Sequence, residues 1–138
     1  MAIALAAGGG AIAAAQQDRT LPAALGDLGE AKLVEVRDQA GQALLTGTLT
    51  TEKNTPKKTE RTAALTSPSG QKAKGEVEVE IERKDGIATK DELELELENL
   101  PAMATVQLFI DGQTVTSFVT SKAGKAKLEL SRKLTPGR

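Results

Sequence analysis

Two stretches of this chain alternate apolar and charged residues with a period of two: Gly75-Glu-Val-Glu-Val-Glu-Ile-Glu82 and Asp91-Glu-Leu-Glu-Leu-Glu-Leu-Glu98. Successive side chains of a strand point to opposite faces of its sheet, so this pattern demands strands with one face in a core and the other in water. A helix, with its longer period, would scatter the same glutamates around its whole circumference.

The rest of the chain follows suit from residue 30 onward. Apolar runs predict strands at 31–37, 42–50, 60–66, 74–83, 91–98, 103–110, 113–120 and 125–131. Turn chemistry separates them at Asp38-Gln-Ala-Gly41, Ser67-Pro-Ser-Gly70, Asp85-Gly86, Leu100-Pro101, Asp111-Gly112 and Ala123-Gly124. At 138 residues the chain has room for one domain with a modest core. The expected division is 1–15 as a leader or apolar tail, 16–29 as an N-terminal segment, 30–133 as the domain and 134–138 as a loose tail.

Register arithmetic refines the expectation. A two-residue turn at Asp111-Gly112 places Leu108 opposite Val115 and Ala104 opposite Val119. A four-residue connection at 99–102 places Leu95 opposite Val106, and one at 121–124 places Ser117 opposite Leu128. These choices give one continuous apolar face, and a slip of one residue in any of them would destroy it. The segment 91–131 is therefore predicted to be a four-stranded meander. Pairing the two glutamate-rich strands as a hairpin would set Glu78 against Glu92, a destabilising like-charge pair. They are accordingly expected in different sheets. The predicted fold is an all-β, antiparallel β-sandwich of about seven to eight strands, Ig-like or built from two meanders, with 31–83 in one sheet and 91–131 in the other.

Composition excludes several classes of function. Phe109 and Phe118 are the only aromatic residues, and His, Cys, Tyr and Trp are absent. No thiolate or imidazole can act as nucleophile, base or soft-metal ligand. A formal net charge of −1 and the lack of stacking platforms argue against nucleic acid as a partner. The N-terminus, Met1-Ala-Ile-Ala-Leu-Ala-Ala-Gly-Gly-Gly-Ala-Ile-Ala-Ala-Ala15, has the apolar stretch and small-residue end of a secretory signal peptide, without its basic start. It is shorter than the ~20 residues a membrane-spanning helix needs. Export with cleavage before Gln16 is expected, and no membrane span in the mature chain.

A weak internal repeat runs through the sequence: Ala64-Leu-Thr-Ser67 with Gly70 resembles Phe118-Val-Thr-Ser121 with Gly124, and Leu33-Val-Glu-Val-Arg-Asp38 with Gly41-Gln42 resembles Gln107-Leu-Phe-Ile-Asp111 with Gly112-Gln113. The run Leu97-Glu-Asn-Leu100-Pro101, Val106-Gln-Leu-Phe-Ile-Asp111-Gly112 and Gly124-Lys-Ala-Lys-Leu-Glu-Leu130 resembles a meander common in exported bacterial proteins of unknown role. It covers about 40 residues, all of them turn and core positions. The resemblance implies a fold and an export route and carries over no active site.

Four constellations could bear chemistry. The glutamates 76, 78, 80, 82 and 92, 94, 96, 98 could hold Ca²⁺, but along a strand they lie roughly 7 Å apart with no loop to wrap an ion. A solvated face accounts for them. Used as a hydrolytic pair, they would need a cleft that shifts one pKa. Ser117 and Ser121 near Lys122 or Lys125 invite a Ser–Lys reading that strand and turn roles already explain. The basic loop Lys53, Lys57, Lys58 and Arg61 could meet an acidic polymer, and a solvated hairpin loop is its default. The registers also put Phe109 and Phe118 together on the face opposite the aliphatic one, with Thr105, Thr114, Thr116 and Lys127. These six residues form the predicted contact surface, covered by 16–30 (through Leu21, Leu25 and Leu28) or by a second subunit.

No catalytic residue, metal ligand or cofactor is expected. The sequence reads as an exported, non-enzymatic structural or interaction module, with itself or another extracellular protein as partner. The alternatives are a carbohydrate- or calcium-binding accessory domain and, more remotely, a carboxylate-dependent hydrolase.

Overall fold

The computed structural model describes residues 18–134; the expected leader and the part of the expected tail beyond Leu134 lie outside them. Ten strands follow in order: β1 (Asp18–Thr20), β2 (Leu33–Asp38), β3 (Ala43–Thr48), β4 (Thr50–Asn54), β5 (Lys58–Thr66), β6 (Lys74–Lys84), β7 (Ile87–Glu98), β8 (Thr105–Ile110), β9 (Gln113–Val119) and β10 (Ala126–Lys133). All ten belong to one sheet ordered β1-β10-β7-β6-β5-β3-β2-β8-β9, with β4 continuing β3 along the edge of β5. Six residues, 120–125, link β9 at one end of that order to β10 near the other, and the sheet curls into a nearly closed barrel.

The all-β, antiparallel expectation holds; only the short β1–β10 pair is parallel among the described residues. The division into two sheets does not. β6 and β7 are hairpin neighbours across Asp85-Gly86, whose φ angles of 55° and 79° are those of the tight turn that matches strand twist. A bulge between Glu82 and Arg83 absorbs one residue and restores the phase, so Val77 meets Leu95 and Glu78 meets Glu94.

The four-stranded meander is also corrected. β8 pairs with β2 and β9, while β10 returns to β7, setting Leu93, Leu95 and Leu97 against Leu130, Leu128 and Ala126. The 99–104 connection therefore crosses over the 120–125 turn. Leu100 N–H donates to the Gly124 carbonyl at 3.0 Å, Met103 N–H to the Ser121 carbonyl at 3.1 Å, and the buried Thr120 hydroxyl to the Pro101 carbonyl at 2.6 Å. The crossing is so close that a Cβ on Gly124 would collide with the Leu100 carbonyl, and its φ of 74° excludes most other residues as well.

Inward positions of nearly every strand form a single aliphatic cluster, including Val34, Val36, Leu45, Leu65, Val77, Val79, Ile81, Leu93, Leu95, Leu108, Leu128 and Leu130. A barrel of this size has an interior just wide enough for side chains to fill. Leu21, Leu25 and Leu28 join the same cluster, so the segment 21–31 plugs one end of the barrel instead of covering an outer face.

Two buried arginines hold that plug. Arg132 is bidentate to Asp91, Nε donating to Oδ1 and Nη2 to Oδ2, both at 3.0 Å, and donates to the carbonyls of Pro22, Leu25 and Gly26 at 2.7–2.9 Å. Arg61 donates to the carbonyls of Leu28 and Ala31 at 2.7 and 2.6 Å, and to the Thr51 hydroxyl at 3.1 Å. Arg61 thus leaves the basic loop in which the sequence placed it. Burial pushes the Asp91 carboxyl above its ordinary range, outweighing the guanidinium beside it.

Candidate acidic contact face

The outer faces of β5, β6, β7 and β10 bring both glutamate ladders together. Because the four strands are in direct register, their outward side chains fall into rows that cross the sheet. One row reads Lys58, Glu82, Lys90, Lys133; the next Glu60, Glu80, Glu92, Ser131; then Thr62, Glu78, Glu94, Glu129; then Ala64, Glu76, Glu96, Lys127. Three rows therefore carry eight carboxylates and one lysine. Glu76 faces Glu96, Glu78 faces Glu94 and Glu80 faces Glu92 across β6–β7, while Glu94 also faces Glu129 across β7–β10.

Among the described residues, lysines at the margins of this face pair with its glutamates. Lys58 Nζ lies 3.2 Å from Glu80 and 3.8 Å from Glu60, Lys90 Nζ 3.6 Å from Glu92, and Lys127 Nζ 3.5 Å from Glu96. The bond to Glu80 and its charge raise the pKa of Lys58. Glu76, Glu78 and Glu94 have no ion pair among the described residues. The rows line a concavity of about 620 Å³ to which Glu52, accepting from the Thr62 hydroxyl at 3.0 Å, also contributes.

Within the face, carboxylate oxygens of Glu80, Glu82 and Glu92 lie within 4.8 Å of one another. They offer three of the six to eight oxygens that Ca²⁺ takes. Two of the three carboxylates already accept a lysine ammonium group, which weakens the case for an ion.

The six-residue contact surface expected from the sequence is not assembled. A bulge on β9, where the extra residue Val115 falls between the partners of Leu108 and Phe109, changes the phase of the β8–β9 hairpin: Phe109 meets Thr114, but Leu108 meets Thr116 and Val106 meets Phe118. Phe118 consequently turns inward and is 2% exposed. Phe109 stays outside, half-buried, with the Arg37 guanidinium 4.0 Å above its ring and Arg37 bonded to Glu35 at 2.6 Å. Thr105 and Thr116 are half-buried and Thr114 exposed on the same hairpin, whereas Lys127 sits on β10 beside Glu96. Ser121 spends its hydroxyl oxygen on the N–H groups of Ala123 and Lys125, at 3.2 and 3.1 Å, closing its own turn.

No protein-family model, characterised protein or solved structure matches this chain.

Proposed function

We propose that this chain is an exported, non-enzymatic interaction module whose contact surface is the glutamate-rich outer face of β5, β6, β7 and β10. The partner is a lysine- or arginine-rich protein segment. One observation carries the reading: carboxylates stand directly opposite one another in three consecutive rows. A sheet that needed only a soluble outer face would alternate opposite charges, since like charges in register are destabilising. Here that arrangement is kept, with lysines confined to the margins, and a cationic partner would relieve the repulsion on binding. Such a surface supplies on-rate and orientation more than affinity, and its binding weakens with salt.

Calorimetric titration with a lysine-rich peptide at about 20 mM and about 300 mM NaCl tests this. The expected result is saturable binding that weakens at the higher salt and disappears in Glu78→Lys/Glu94→Lys. Absence of binding at low salt, or equal binding by the variant, would overturn it. Sedimentation velocity on the chain alone decides whether the cationic partner is a second copy. Export rests on the apolar leader, and mass spectrometry of the native N-terminus checks it by finding Gln16 or Met1 first.

The second reading, a divalent cation held by Glu80, Glu82 and Glu92, is favoured by their proximity alone. A saturable rise in melting temperature with millimolar Ca²⁺ would support it, because a ligand bound only by the native state must stabilise that state.

A further inference from the structure

We draw no further inference here: the strongest candidate, the basic patch of Lys53, Lys57 and Lys84 around the exposed Ile87 on the paired hairpin tips, is matched at the opposite end of the barrel by Lys72, Lys122 and Lys125 beside the exposed Met103, and nothing in the structure shows what covers either.

Discussion

Replacing Glu94 by lysine should make this protein more stable, although it removes a residue from the proposed contact face. Glu94 stands between Glu78 on β6 and Glu129 on β10, with Glu92 and Glu96 two residues away on its own strand. The substitution converts two directly opposed like-charge pairs into two opposite-charge pairs. Each cross-strand charge pair is worth roughly 0.2–1 kcal/mol, so the change should stabilise the fold by about 1–2 kcal/mol at low ionic strength. For a domain of this size that corresponds to a rise in Tm of roughly 4–8 °C. The effect must fade with salt, because the Debye length falls from about 30 Å at 0.01 M to about 3 Å at 1 M. Thermal melts of both proteins across that range would show the curves converging, with the wild type gaining more from salt than the variant. A variant that melts at or below the wild type at low salt would refute the claim that repulsion on this face is a standing cost.

Phe118→Lys should unfold or strongly destabilise the domain, because it forces a charge into the core, whereas Phe109→Lys should cost about 1 kcal/mol or less in denaturant melts. Arg132→Met should lower stability by about 3–5 kcal/mol by leaving Asp91 buried without its partner and freeing the plug carbonyls; adding Asp91→Leu should recover much of that loss. The raised pKa of Asp91 means the native state holds this proton more tightly than the unfolded chain does. Its contribution therefore favours the fold increasingly as pH falls through the native pKa towards the unfolded value, about 3.9, and the stability of the wild type relative to Asp91→Asn should rise in that direction in urea melts.

The alternation at 75–82 and 91–98 made the strands legible, and the Asp-Gly pairs marked both tight turns. Strand neighbours were not legible, for a physical reason. β8 and β10 share the same inward phase, so either could follow β7 with its apolar face intact, and parity alone cannot choose between them. The bulges at Glu82/Arg83 and Leu108/Phe109 were equally hidden, since each is a one-residue shift set by the sheet and not by any marker residue. One bulge brought β6 and β7 together; the other sent Phe118 inward and dissolved the expected aromatic patch. A signal for the plug was present and missed. Arg61, Asp91 and Arg132 occupy the same phase as Ala63 and Leu65, Leu93 and Leu95, and Leu128 and Leu130, where a charge has no place unless it is paired inside. The acidic face was half visible: both ladders stood out, but their direct opposition depends on the hairpin that charge repulsion had argued against. The repulsion is real but small, and the apolar pairs Val77–Leu95 and Val79–Leu93 on the inner side of the same two strands outweigh it.

The most direct test of the contact face is an amide chemical-shift map of the isotope-labelled protein titrated with a lysine-rich peptide at low salt. Saturable shifts should concentrate on β5, β6, β7 and β10, centred on Glu78, Glu80, Glu92 and Glu94, with little change in the outer residues of β2 and β8 around Phe109. Shifts centred on the Phe109 side of the barrel, or none at all, would contradict the proposed contact face.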